Sequence, residues 1–179
     1  MLQQIEEHLK LVQEIDVQKL QEIGAMIKDK LSQNAKVLIF GNGGSAADAQ
    51  HFAAELIGRF VKERKSLAAI ALTTDTSIIT AVANDYGYTK IFSRQLEGLL
   101  KPNDVVIAIS TSGNSENVIS AIRYANTVTD VTVITMTGNI PNKAQQLADY
   151  SLYVNSSNVA RIQEVHELML HLIAEKIEE

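Results

Sequence analysis

The chain has no cysteine, no tryptophan and only two prolines. Without cysteine it can form neither disulfides nor thiolate metal centres, so any metal must be held by His, Glu, Asp or Gln. Positive charge is also scarce. A formal net charge of −5 excludes the basic footprint that general nucleic-acid binding requires. No apolar run approaches the length that spans a bilayer. The opening segment MLQQIEEHLK carries acids where a signal peptide needs a basic start and an apolar core. Linkers, low-complexity tracts and internal repeats are missing, and Pro102 and Pro141 fall at loop-like positions. The 179 residues, 46% hydrophobic and 21% charged, have ordinary globular usage and suffice for one well-buried core. The expectation is a single cytoplasmic domain over residues 1–179, with no membrane and no nucleic-acid partner.

Residues 1–33 read as an N-terminal helical arm. Ile5, Leu9 and Val12, then Leu20, Ile23, Ile27 and Leu31, recur at steps of three and four, with a break near Asp16. Such an arm needs a surface to cover, and a partner subunit is the natural candidate. Residues 34–179 read as an α/β sandwich closed by a helix from about 158 to 178. Five apolar runs, Val37–Phe40, Leu67–Leu72, Val105–Ile109, Val131–Met136 and Ser151–Val154, mostly lack strict alternation, as strands buried on both faces do. Helix-compatible segments lie between them, at 45–60, 75–99, 114–126 and 141–148. The alternation predicts a five-stranded parallel sheet flanked by helices.

Ligands of open α/β sheets bind beyond the carboxyl ends of the strands. There the first run leads into GNGGS and on to a helix start. Gly41, Gly43 and Gly44 allow a sharp turn and a close approach, while the helix end offers unpaired N–H groups to an anion. Asn42 and Ser45 add polar side chains. The third run leads into STSGNS, where Ser110, Thr111, Ser112 and Ser115 precede another helix start, a second phosphate candidate that needs no lysine. Read as an ordinary loop, the same segment would use Ser115 as a helix cap. GNGGSA also fits the dinucleotide fingerprint, but the nearest suitable acid, Asp75, lies later than that motif expects. No G-K-[ST] exists, which excludes a P-loop.

His51 and Glu55, four residues apart, share one helix face and suit either a metal or a surface hydrogen bond. Arg59 lies roughly two turns beyond His51 on the same expected helix. It could reach a phosphate, although a surface salt bridge is the commoner fate of a single arginine. Asn84 and Asp85 fall together in an expected turn. On the last helix, Gln163, Glu164, His166, Glu167 and His171 are all potential ligands. Spacing favours Gln163 with His166, or Glu167 with His171; Gln163 and His171 stand about 80° apart around the helix axis.

With GNGGS, HFAAEL, STSGNS and RIQEVH in that order, the chain resembles the sugar isomerase (SIS) superfamily and, more narrowly, the sedoheptulose 7-phosphate isomerases, or phosphoheptose isomerases. The resemblance runs over nearly the whole chain. It implies a flavodoxin-like fold, a homotetramer with active sites between subunits, and one zinc per subunit held by His51, Glu55, Gln163 and His171. That set contains the pair spacing disfavours; ligands drawn from different chains would not obey a single-helix face rule. Substrate contacts are implied for Asn42, Gly43, Gly44, Ser45, Arg59, Asn84, Asp85 and Gln163, with Ser110, Thr111, Ser112 and Ser115 on the phosphate. Glu55 and His171 are implied as base and acid in converting sedoheptulose 7-phosphate to D-glycero-D-manno-heptose 7-phosphate through an enediol, for ADP-heptose and lipopolysaccharide core synthesis. One departure is Ala160, where some members carry Asp; Asp85 is a candidate substitute. The related DnaA-associating replication proteins lack the acid matching Glu55 and the histidine matching His171, and this chain has both.

Overall fold

Five apolar runs pair as parallel strands in the computed structural model, which describes residues 1–179. Helices α1 (Leu2–Gln13) and α2 (Val17–Ser32) precede β1 (Val37–Gly41), α3 (Gly44–Ile57), β2 (Ala69–Ala71) and α4 (Thr76–Tyr86). A 3-10 turn at Tyr88–Lys90 leads to α5 (Ser93–Leu99), β3 (Val105–Ser110), α6 (Glu116–Ala125) and β4 (Thr132–Thr137). Helix α7 (Lys143–Gln146), β5 (Tyr150–Tyr153) and α8 (Val159–Glu178) complete the chain. The strand order is β2-β1-β3-β4-β5, the flavodoxin-like order that the family resemblance implies.

Successive strand residues feed opposite cores. Val37 and Ile39 of β1, Val105, Ile107 and Ile109 of β3, and Ile134 and Met136 of β4 meet residues of α1, α2, α3 and α8 on one face. Leu38, Phe40, Val106, Ala108 and Val133 meet residues of α5, α6 and α7 on the other. Both faces are covered, which is why the runs are continuously apolar.

The helical arm breaks where the sequence suggests: the Asp16 carboxylate accepts the Lys19 N–H at 3.0 Å and caps α2. Its burial departs from expectation. Leu20, Ile23 and Ile27 are fully buried in the core they share with α8 of the same chain, worth roughly 1.5–3 kcal/mol each. Helix α1 keeps an open apolar edge, with Leu2, Ile5 and Leu9 exposed.

Three further boundaries differ. The second run yields only Ala69–Ala71, an edge strand with one neighbour. The expected helix over 75–99 breaks at Gly87, whose φ of +86° a helix cannot accommodate. Helix α3 ends at Ile57, short of 60, so Arg59 lies in the following connection.

Candidate active site

The strand order reverses between β1 and β3, and the two glycine- and serine-rich turns leave those neighbouring strands. That switch point is where a flavodoxin-like sheet binds its ligand. After β1, Gly43 takes φ +59° at the N-cap of α3, a conformation open mainly to glycine. The next residue, Gly44, is required for space. A Cβ there would stand 2.4 Å from Gln163 Nε2, so the Gln163 amide lies directly against the turn. Ser45 is buried under it.

After β3, the Ser110 hydroxyl donates to Ser115 Oγ at 3.1 Å and lies 3.5 Å from Ser112 Oγ. Ser115 occupies the N-cap of α6 but its hydroxyl makes no capping bond. The ordinary-loop reading of this segment is therefore incomplete: the hydroxyls gather on one another at a helix start. Asn42 ties the two turns together, exchanging amide bonds with Asn117 of α6 at 2.9 and 2.8 Å while its Oδ1 accepts the Tyr88 hydroxyl at 3.2 Å. Its side chain bonds to Asn117 and Tyr88 and so holds the two turns in register.

On the face covered by α3 and α8, His51, Glu55 and His171 converge. One ligand atom of each lies within 4.8 Å of the others. His51 Nε2 is 2.9 Å from Glu55 Oε1 and 3.5 Å from His171 Nε2. Tetrahedral zinc with bonds near 2.0–2.1 Å places its donors roughly 3.3 Å apart, so this spacing and donor chemistry fit a zinc-like cation. Glu167 Oε1 pairs with His51 Nδ1 and lies 3.6 Å from His171 Nε2. It lies against the cluster as a carboxylate placed to orient the His51 ring. Asp48 lies alongside. Burial, then the Glu167 charge, push its carboxyl up to about 6, against the pull of His51. The Phe60 ring stacks on the His171 imidazole at 5.5 Å between centroids and 24° between planes.

Other expected residues lie apart from this cluster. Arg59 is exposed, donates to the Val61 carbonyl and faces Glu63 at 3.6 Å, the surface pairing that its sequence also allows. Asn84 and Asp85 bond to each other in the last turn of α4, not in a loop, and no residue of α4 is buried. Thr111 is half-buried beside Ser110, and its carbonyl accepts the Gly138 N–H. His166, a ligand candidate by spacing, is fully buried with Nε2 3.0 Å from the Thr137 carbonyl. Burial pushes its pKa down to about 4, so it is a neutral core histidine. Asp75, the acid of the dinucleotide alternative, caps α4 through the Ile78 N–H. Sequence reasoning missed Asn117, Phe60 and Asp48, which become significant only once α3, α6 and α8 are placed around the sheet.

Two glycine- and serine-rich turns at the switch point, beside a His–Glu–His group, define an α/β domain with its polar side chains gathered at the carboxyl ends of its central strands. The family model of the SIS domain matches residues 2–138. The phosphoheptose isomerase of Aquifex aeolicus is 52% identical over 166 residues, covering 93% of this chain and 86% of the relative. The probable phosphoheptose isomerase of Thermoplasma acidophilum is 52% identical over 165 residues, covering 92% and 90%. The solved structure of phosphoheptose isomerase GmhA from Neisseria gonorrhoeae superposes with a TM-score of 0.90 at 40% identity, covering 99% of both chains. The chain belongs to the SIS domain family, in its phosphoheptose isomerase branch.

Proposed function

We propose that this protein is an aldose–ketose isomerase interconverting sedoheptulose 7-phosphate and D-glycero-D-manno-heptose 7-phosphate, for ADP-heptose and lipopolysaccharide core synthesis in the cytoplasm. The observation that carries this reading is the convergence of His51, Glu55 and His171 on α3 and α8, the helices whose starts adjoin the phosphate-type turns. The relatives' shared name supports the substrate class.

The work divides between two ends of the sugar. Ser110, Thr111, Ser112 and Ser115, with the N-terminus of α6, hold the phosphate and so fix C1 and C2 near the His–Glu–His centre. Asn42 holds the two turns in register. Gly43, Gly44, Ser45 and Gln163 form the wall beside the sugar hydroxyls. Glu55 and His171 exchange the proton between C1 and C2 through an enediol, one as base and the other as acid. A zinc ion held by His51, Glu55, Gln163 and His171 would supply Lewis acidity that stabilises charge developing on the carbonyl oxygen.

Arg59, Asn84 and Asp85 fit this scheme in an assembly. They sit on an exposed connection and an exposed helix, as residues at a site shared between subunits would. The open edge of α1 and the uncovered α4 support a homotetramer of single SIS domains spanning 1–179. A stable monomer by light scattering at micromolar concentration would count against that assembly.

The deciding experiment is a coupled assay with sedoheptulose 7-phosphate, with and without chelator. Turnover that chelator abolishes and zinc restores is the expected result. Turnover of another sugar phosphate alone would redirect the substrate assignment, and turnover indifferent to chelator would remove the metal from it.

A further inference from the structure

The connection from α3 to β2, residues 58–68, has no helix or strand, yet its first part is firmly tied. Glu178, in the last turn of α8, has a side chain only 2% exposed. Its Oε1 accepts the N–H of Phe60, and its Oε2 those of Val61 and Lys62, each at 2.8 Å. Arg64 Nε lies 3.1 Å from Oε1, an ion pair without hydrogen-bond alignment. The same guanidinium turns back on α3: Nη2 donates to the Glu55 carbonyl at 2.7 Å and Nη1 to the Leu56 carbonyl at 2.9 Å. These belong to the last-turn carbonyls that a helix leaves without internal partners. Burial pushes the Glu178 carboxyl up, but the three N–H groups and Arg64 outweigh it and hold the group at about 2.

Both ends of this clasp reach the proposed proton-transfer pair. Arg64 grips the backbone of Glu55 itself. Phe60, the first residue that Glu178 holds, lays its ring on His171. Glu55 is on α3 and His171 on α8, and the clasp binds the end of one helix to the end of the other. The GNGGS and STSGNS turns have no bond to Arg64 or Glu178.

We infer that Glu178 and Arg64 are positioning residues for the isomerase centre, fixing the separation of α3 and α8 so that Glu55 and His171 meet, with Phe60 as the spacer that sets the His171 ring. The kinetic part of this inference rests on the isomerase reading; the structural part does not. Removing the clasp lowers kcat and spares KM, because the turns that hold the phosphate are left intact.

The test uses zinc-loaded protein and the variants Glu178→Gln, Arg64→Lys and Phe60→Leu. Only four histidines are present, so the His171 imidazole signals can be assigned by difference with His171→Gln. Loss of the Phe60 ring should move them in Phe60→Leu, and loss of the clasp should move them the same way in the other two. A shift of the reacting groups by a fraction of an ångström lowers kcat by about ten-fold, with KM within about two-fold. Arg64→Lys keeps the charge but loses the fork that reaches two carbonyls, so it reports even if Glu178→Gln fails to fold. A clasp that served stability alone would lower the melting temperature and leave the His171 signals and kcat at wild-type values; that outcome overturns the inference. So would wild-type kcat in a folded Phe60→Leu variant. If the wild-type protein turns over no sugar phosphate, the isomerase reading fails and the His171 spectra alone decide the clasp.

Discussion

Replacing Gly44 with alanine tests the joint between the glycine turn and α8. The added Cβ would stand 2.4 Å from Gln163 Nε2, 2.6 Å from Cδ and 2.7 Å from Oε1. Ordinary contacts of this kind lie near 3.5–4.0 Å, so the amide must retreat by about 1 Å. A displacement of about 1 Å at a reacting centre can cost on the order of 10²-fold in rate. Stability should move the other way. Gly44 opens α3 without a positive φ, so alanine fits its backbone and gains about 0.4–1 kcal/mol by restricting the unfolded chain. The yielding partner is the flexible end of a half-buried side chain, which limits the opposing loss. The expected pattern is a melting temperature unchanged or raised, with kcat for sedoheptulose 7-phosphate strongly reduced. Gln163→Ala completes the cycle: with no amide to strike, the double variant should be no slower than Gln163→Ala alone. Full activity in Gly44→Ala, or losses that simply add in the double variant, would refute the reasoning.

Ser112→Ala with Ser115→Ala should raise KM for the sugar phosphate far more than it lowers kcat, since hydrogen bonds to charged groups are worth roughly 1.5–3 kcal/mol each; an unchanged KM would remove the serine loop from phosphate binding. Glu55→Gln should bind substrate yet lose about 10²–10⁴-fold in turnover, and His171→Gln should do likewise, with deuterium exchange at C1 or C2 as an independent readout. Near wild-type rates in both would sink the proton-transfer assignment. His166 gives a pH effect on stability. Its folded pKa of about 4 lies below the ordinary 6.5, so the unfolded chain takes the proton first. Its contribution is complete above about pH 6.5 and is lost as pH falls toward 4, by on the order of 3 kcal/mol. Denaturant unfolding across that range should show the slope in wild type and lose it in His166→Gln, which should also be less stable at neutral pH.

The fold was legible because its signals are local. Continuous apolar runs gave the buried strands, and the glycine and serine turns marked the ends that carry ligands. Boundaries slipped where one residue's dihedral decided them: Gly87 broke a stretch whose apolar spacing suits one long helix. The site was legible in its motifs but not in its joints. Nothing about Asn117 or Phe60 marks them as neighbours of Asn42 or His171, since those contacts exist only after non-adjacent elements pack. His166 shows the reverse failure. Its spacing from Gln163 suits a ligand, but spacing does not say which face of α8 turns inward, and His166 lies on the buried side.

The placement of Gln163 and His171 has a physical account that one helix considered alone does not supply. Their separation of eight residues turns them out of line on α8, yet both meet the same neighbour. Gln163 meets Gly44, and His171 meets His51, seven residues further along α3. At about 1.5 Å per residue, these steps are roughly 12 Å on α8 and 10 Å on α3, so the helices run side by side in the same direction. Within one chain this places the Gln163 amide at the glycine turn, away from the His51–Glu55–His171 group, so a ligand set that includes Gln163 still calls for sharing between subunits. The Arg64–Glu178 clasp is a third rung, joining the carbonyl end of α3 to the last turn of α8. The His–Glu–His centre lies between a rung at the glycine turn and a rung at the helix ends. A perturbation at either end should therefore alter turnover before it unfolds the chain, and only the first rung borders the turns proposed to hold the phosphate. That asymmetry predicts that Gly44→Ala disturbs both KM and kcat, whereas Glu178→Gln disturbs kcat alone.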